Sequence, residues 1–240
     1  MQMKVKNRLL NYNIVIYQDD DWFKFSLDSV LLAYFVTLNM RCKNVIDLAT
    51  GNAPIPMLLT NRTNAHIDGI ELQECIFNLG VDSIKENGFE NQISLKCGDV
   101  RNINKFYQGD FYDVVTCNPP YFKTRDNGFF NCIPEKSVAR HEITLSLDDV
   151  IKSAFYLLKS NGLFAMVHRT DRFIEVVECL KKYKFEPKKV QFIYPKDNTN
   201  SDLFMIEASK NGRCGVKILP GLIIHNNDGS YKENIRNFFE

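Results

Sequence analysis

The feature that most constrains this 240-residue chain is an alternation. Short apolar runs of strand length take turns with amphipathic runs of helical length. NVIDLA at 44–49, HIDGIEL at 66–72, ISLKCGD at 93–99, FYDVVTC at 111–117 and LFAMVH at 163–168 are the strand-like runs. Between and after them, QECIFNLGVDSIKENGF, SLDDVIKSAFYLLKSNG and DRFIEVVECLKKYKF place apolar residues on one helical face. Strands that are apolar throughout and joined by helices make a mostly parallel sheet covered on both faces. KVQFIYP and DLFMIEAS then follow with only KDNTNS between them, too short for a crossover helix, so this pair is antiparallel. The expected fold is α/β: a seven-stranded, mostly parallel, Rossmann-like sheet with helices on both faces and one reversed strand near its edge.

Local signals punctuate this pattern. Ser26 and Ser146 stand as N-caps before helical runs, and Pro56 suits a first helical turn. Gly88 and Gly162 mark helix ends. YNIVIYQ, before DDD and WFKF, reads as an edge strand or hairpin. Residues 1–43 form an N-terminal hairpin and helix segment, and 44–240 the core. Within the core, 123–144 is an irregular, cation- and Phe-bearing insertion suited to substrate binding.

A net charge of +1 excludes a uniformly basic surface, though not a local patch for a polyanion. The longest apolar run, VLLAYFV at 30–36, is too short to span a bilayer, and MQMKVKNRLLNY has no apolar signal core. The seven cysteines form no CxxC pair and no zinc spacing, so they read as reduced, mostly buried thiols. No metal is expected, and the protein is expected in the cytoplasm.

In an open parallel sheet, ligands bind beyond the carboxyl ends of the strands. The first four strand ends deliver Asp47, Glu71, Asp99 and Asn118 to that rim. Any one acid there could simply cap the next helix; four in series point to a nucleotide-like ligand. Gly51 lets the backbone approach a ligand closely. Glu71 lies about 20 residues past the turn, where an acid can accept from ribose hydroxyls. Asp99 could accept from an adenine amine. The loop lacks G-x-G-x-x-G and so suits a ligand with ribose and adenine but no phosphates, such as S-adenosylmethionine.

CNPPYF at 117–122 follows the fourth strand. Its prolines stop the strand and stiffen the backbone, so Asn118 and Tyr121 are aimed. The Asn118 side-chain oxygen and the Pro119 carbonyl can accept both hydrogens of an NH₂ group, leaving the nitrogen lone pair directed at a methyl donor. Such catalysis works by positioning and electrostatic preorganisation. Tyr121 offers a flat face for a planar base.

With these residues in view, the chain resembles the bacterial tRNA (adenine-37-N6)-methyltransferases, of the tRNA1(Val) type, within the class I methyltransferases that carry a D/N-P-P-Y/F/W signature. FKFSLDSVLLAYF, VIDLATGNAPIPMLLTNRT, IDGIEL, CGD and CNPPYF carry the resemblance, which spans nearly the whole chain. It implies S-adenosylmethionine as cofactor and a tRNA anticodon stem-loop as partner, with no membrane and no obligate protein partner. By position, it implies a donor site of Asp47, Ala49, Gly51, Asn52, Glu71, Leu72, Asp99, Val100 and Asn118, closed over by Phe25 and Asp28. Asn118, Pro119, Pro120 and Tyr121 take the catalytic positions. Ala49 and Ala53 occupy places that usually hold glycine; alanine serves there where φ stays negative, which is the expectation for this loop.

An anticodon-loop adenine is already partly unstacked, so extruding it costs less than extruding a paired base. Tyr121, Phe122, Lys123, Arg125, Lys136, Arg140 and His141 offer cations and rings for such a loop. KKYKFEPKK at 181–189 is a second candidate phosphate track or an ordinary solvated helix end. The rival enzymatic readings are methylation of a release-factor glutamine, which presents the same NH₂, and of an rRNA base. The non-enzymatic rival is an RNA-binding module without donor binding.

Overall fold

The computed structural model describes residues 4–9, 14–19, 27–119 and 145–236. The seven expected strands form one sheet: β3 (Asn44–Leu48), β4 (His66–Glu71), β5 (Ile93–Cys97), β6 (Tyr112–Cys117), β7 (Leu158–Arg169), β8 (Phe185–Lys196) and β9 (Leu203–Lys210). Their spatial order is β5-β4-β3-β6-β7-β9-β8. All pairs are parallel except those of β9, which runs antiparallel to both β7 and β8. The sheet exceeds the expectation by two strands. In the tail, β10 (Lys217–Ile218) and β11 (Leu222–His225) both pair parallel with β8, giving nine strands.

The N-terminal expectation resolves to a hairpin. β1 (Lys4–Leu9) and β2 (Ile14–Asp19) form a separate antiparallel sheet. It docks on α3 (Glu74–Glu86) through polar bonds, with Val15 N–H donating to Asn87 Oδ1 at 2.8 Å and Tyr17 N–H to Ser83 Oγ at 2.9 Å. Ile14 and Ile16 enter the core beneath it.

Two apolar clusters sandwich the main sheet. One face packs the hairpin, α1 (Leu27–Phe35) and α2 (Pro54–Leu59), whose proline-led first turn matches the expectation. The other packs α4 (Leu147–Leu157) and α5 (Phe173–Lys182). Ser146 caps α4 in a full capping box with Asp149. The helix ends at Leu157 rather than near Gly162, because its last carbonyls find partners elsewhere. Asp110 and Phe111 N–H donate to Tyr156 and Leu157 O, and the buried Lys210 ammonium donates to Phe155 and Leu158 O at 2.7 Å. The chain turns straight into β7, with a register break opposite Tyr112 and Val114.

Of the six described cysteines, Cys42 and Cys117 are buried and Cys97 and Cys214 are exposed, so the expectation of mostly buried thiols holds only in part. Among the described residues no helix is long and apolar enough to cross a membrane, and no cluster of His, Cys, Asp or Glu could hold a metal ion.

Candidate active site at the switch point of the sheet

Strand order reverses between β3 and β6, the place where open α/β sheets bind ligands. Asp47 of β3 lies opposite Thr116 of β6 in register, and the Thr116 hydroxyl donates to Asp47 Oδ1 at 2.6 Å. Asp47 is 1% exposed. Burial pushes its carboxyl up from 3.8 to about 7, and the Thr116 bond only partly offsets this. The acid therefore holds its proton to near neutrality.

The loop after β3 crosses to α2 with Ala49, Gly51 and Ala53 at φ 51°, 61° and 67°. This corrects the expectation of negative φ at the two alanines. In this conformation Gly51 N–H donates to Glu71 Oε2, 3.0 Å away. Gly80 of α3 lets the loop in: a Cβ there would lie 3.3 Å from the Asn52 carbonyl carbon and 2.9 Å from Leu95 Cδ1.

Glu71 ends β4 and is buried, its other oxygen accepting from Gln73 N–H at 2.9 Å. Burial raises its pKa against these bonds. The two N–H groups fix the carboxylate plane and still leave acceptor capacity on each oxygen. Asn52, fully buried, donates from Nδ2 to Tyr17 O of the hairpin at 2.9 Å, while its Oδ1 has no partner. One residue along β2, buried Gln18 has Nε2 unpartnered. Unmatched buried donors and acceptors are costly. Such groups suit a polar ligand carrying both donors and acceptors, such as the amino-acid end of S-adenosylmethionine.

Leu72 is an exposed apolar side chain next to Glu71. Asp99 caps the 3-10 helix Val100–Lys105 and is chelated by Arg101: Oδ1 accepts from the Arg101 N–H at 2.8 Å and Oδ2 from its guanidinium at 2.6 Å. Burial pushes Asp99 up, and the Arg101 bonds outweigh it, leaving its pKa below the ordinary range. An adenine amine would share this carboxylate with Arg101. Val100 points into the core, and its carbonyl accepts from Ser153.

Asn118 follows β6, half-buried, and its Nδ2 donates to Ser29 Oγ of α1 at 3.0 Å. Pro119 is buried behind it, and Asp28 lies half-buried in the first turn of α1. The structure thus brings Asp47, Gly51, Asn52 and Glu71 together around one loop and places Asn118 on the neighbouring strand end. Phe25, Pro120, Tyr121, Phe122, Lys123, Arg125, Lys136, Arg140 and His141, like the whole 123–144 insertion, lie outside the described residues. The 181–189 cluster is a solvated helix end and following strand whose lysines are largely paired within the chain. Lys181 pairs with Glu186, Lys182 with Asp148, Lys188 with Arg213 O, and Lys189 with Phe35 O. Thr116, Ser29 and Tyr17 escaped the sequence reading. Thr116 alone left a trace, as a polar residue within the apolar run after Asp113.

Comparison with known proteins supports the same fold and resemblance. No family model matches the chain. It is 26% identical over 211 residues to the tRNA1(Val) (adenine(37)-N6)-methyltransferase of Aliivibrio salmonicida, covering 85% of this chain and 84% of that one. It is 24% identical to the protein of that name from Bacteroides thetaiotaomicron, covering 93% of each. Among solved structures, a predicted O-methyltransferase from Agrobacterium tumefaciens superposes with a TM-score of 0.70 at 18% identity, covering 88% and 94% of the two chains. Geranyl diphosphate C-methyltransferase from Streptomyces coelicolor, in complex with Mg²⁺, geranyl diphosphate and S-adenosyl-L-homocysteine, superposes with a TM-score of 0.57 at 8% identity, covering 76% and 78%. The fold is that of the Rossmann-like methyltransferases, and the resemblance expected from the sequence is borne out along most of the chain.

Proposed function

We propose that this chain is an S-adenosylmethionine-dependent methyltransferase that modifies N6 of an adenine in tRNA, at position 37 of the anticodon loop. The observation that carries the reading is the placement of Asn118 and Pro119 at the end of β6, at the switch point, beside the strained loop and its two buried acids. Relatives across most of the chain's length bear the name of that activity.

S-adenosylmethionine supplies an electrophilic methyl group when bound. Glu71, its plane set by Gly51 and Gln73 N–H, has acceptor capacity for ribose hydroxyls. Leu72 offers apolar surface to the adenine ring, and Asp99 an acceptor for its amine. Burial raises the Asp47 pKa to about 7, and a cation beside it would favour its ionised form, the proton leaving to water, and create a matched charge. Asn52 Oδ1 and Gln18 Nε2 give a ligand one acceptor and one donor.

On the acceptor side, an exocyclic amine is a weak nucleophile because its lone pair is delocalised into the ring. Asn118 Oδ1 and the Pro119 carbonyl accept its two hydrogens and hold the nitrogen for in-line attack. Tyr121 stacks on the flipped base, and Lys123, Arg125, Lys136, Arg140 and His141 contact RNA around it. Residues 1–43 close over the donor, a reading supported by the Asn52–Tyr17 bond between loop and hairpin. A tRNA substrate places the enzyme in the cytoplasm.

The test is incubation of the protein with labelled donor and unmodified tRNA, followed by nucleoside mapping. N6-methyladenosine at position 37 is the expected product, and label confined to protein or rRNA would refute the reading. Asn118→Ala should abolish turnover while calorimetric donor affinity stays within a few-fold.

A further inference from the structure

β6, which delivers Asn118, lies between β3 and β7 in the sheet. β7 runs parallel to it, with Met166 opposite Cys117, and ends at Arg169. One more step of that register sets Asn118 opposite Val167. At about 5 Å between strands and about 3.3 Å per residue, the Arg169 backbone stands roughly 8 Å from that of Asn118. Side chains alternate across a strand. Val114 and Val167 pack on the face covered by α1 and α2, whereas Cys117 and Met166 pack on the other. Asn118 and Arg169 therefore share the α1 face of the rim, and Asn118 meets Ser29 of α1 there.

The Arg169 guanidinium is loosely held. Its side chain is 50% exposed, and Nε and Nη2 donate to Asp171 at 3.3 and 3.2 Å, the long end of the hydrogen-bond range. Arg172 is instead clasped by Glu175, with Nε donating at 2.7 Å. An exposed pair such as Arg169–Asp171 contributes little to stability and opens readily. Among the described residues, the other cations at the strand ends of this rim are Arg101, just after β5, and Lys196, at the end of β8. Each lies three strands from β6, and Arg101 is bound to Asp99.

We propose that Arg169 is a substrate-binding residue whose guanidinium takes a phosphate of the tRNA strand carrying the target adenine. The planar fork that grips a carboxylate matches a phosphate equally well, so a phosphate can replace Asp171 as its partner. A base seated at Asn118 carries its backbone phosphates past the end of the adjacent strand. The acids proposed for the donor stand at the ends of β3, β4 and β5, across β6 from β7, so Arg169 serves the acceptor alone. The inference rests on the tRNA methyltransferase reading and deepens it, adding an anchor on the sheet itself to the cations proposed within 123–144.

The experiment compares Arg169→Gln, Arg169→Lys and Lys159→Gln with the wild type, using an unmodified tRNA transcript. Lys159 lies at the opposite end of β7, paired with Asp113, so its variant makes the same charge change away from the rim. By filter binding at about 100 mM salt, Arg169→Gln should weaken tRNA affinity about fivefold to tenfold, the worth of a charge-assisted bond less the ion pair it replaces. The slope of log affinity against log salt should become shallower by about 0.7, the loss of one phosphate contact on single-stranded RNA. KM for tRNA should rise in step while kcat stays within about twofold, because the contact is the same in ground and transition states. Arg169→Lys keeps the charge and loses the fork, so it should recover the slope and only part of the affinity.

Donor affinity by calorimetry should stay within about twofold in every variant, and tRNA affinity likewise in Lys159→Gln. Equal weakening in Lys159→Gln would mean that net charge alone is at work. A matching fall in donor affinity would mean that Arg169 supports the fold, and an unchanged salt slope that no phosphate contact was lost. Each of these overturns the role of Arg169 and leaves the functional reading standing. A wild type that binds donor but methylates no tRNA would instead take down the functional reading, and the role of Arg169 with it.

Discussion

Asp47→Asn should make the free protein more stable at pH 8 and the donor complex weaker. Asp47 ionises near 3.8 in the unfolded chain and near 7 in the fold, because burial opposes its charge. Between those values the folded state binds more protons than the unfolded one, so stability from this group is fully present below 3.8 and falls as pH rises toward 7. The whole displacement corresponds to roughly 4 kcal/mol at 1.36 kcal/mol per pH decade. Asparagine removes that cost and keeps an Oδ1 acceptor for the Thr116 hydroxyl, but it buries an NH₂ group at a cost of about 2 kcal/mol. The variant should therefore gain about 2 kcal/mol at pH 8 and come close to the wild type at pH 5. Urea unfolding of both proteins at the two pH values measures this, and taking the difference between them cancels the titrating groups that do not interact with Asp47. Calorimetry should show donor affinity lowered at least tenfold, since a neutral amide cannot match a cation. A variant less stable than the wild type at pH 8, or a stability difference that does not grow with pH, would refute the argument that burial raises the Asp47 pKa.

Ala49→Gly and Ala53→Gly should each stabilise the fold by about 1 kcal/mol in urea unfolding, because glycine meets no Cβ clash at φ 51° and 67°. A loss of stability would mean that the methyl groups pack well enough to outweigh the strain. Buried His168 has its pKa lowered to about 4, first by burial and then by Arg172, so its stabilising neutrality is present above 6.5 and lost as pH falls toward 4. His168→Gln should therefore spare about 2 kcal/mol of the wild type's loss between pH 6.5 and 5, read from paired urea midpoints. The affinity for tRNA, measured by filter binding from 50 to 200 mM salt, should fall by at least tenfold through counterion release, and a flat salt profile would exclude a charge-led interface.

The parts of this molecule readable from its residues are those in which local chemistry and tertiary role agree. The apolar runs are strands because they are buried on both faces, and Asn118 stands at the sheet rim because two prolines forbid the strand to continue. Where the deciding partner is remote, the reading failed. α4 stops at Leu157 because Asp110, Phe111 and Lys210 take its carbonyls, and no residue near Leu157 announces that. β10 and β11 are too short for any period and exist because β8 offers them a free edge. The Ser29–Asn118 contact joins positions 89 residues apart. Asp99 looked like a ligand for adenine, and its close neighbour Arg101 also claims it.

Several departures from local rules meet in one place. Two alanines in the left-handed region, a buried aspartic acid with a raised pKa and an unpartnered amide oxygen on Asn52 all lie at or beside the loop after β3, and the unpartnered Gln18 nitrogen is one residue from Tyr17, whose carbonyl Asn52 binds. Other departures lie in turns elsewhere, such as Lys184 at φ 57°, while the capping box of α4, the bonded carbonyls at the end of α1 and the three-fold bonded ammonium of Lys210 follow the rules closely. Strain of this kind persists only where surrounding structure over-determines it, and it gathers at functional sites. Here the surroundings are identifiable: Thr116 holds Asp47, Glu71 holds Gly51, and Tyr17 holds Asn52. The substitutions that would relax the loop are thus those expected to raise stability, and a ligand that satisfies the same groups gains whatever free energy the empty loop withholds. Stability and donor affinity should consequently move in opposite directions across Asp47→Asn, and that opposition separates a binding loop from a merely imperfect turn.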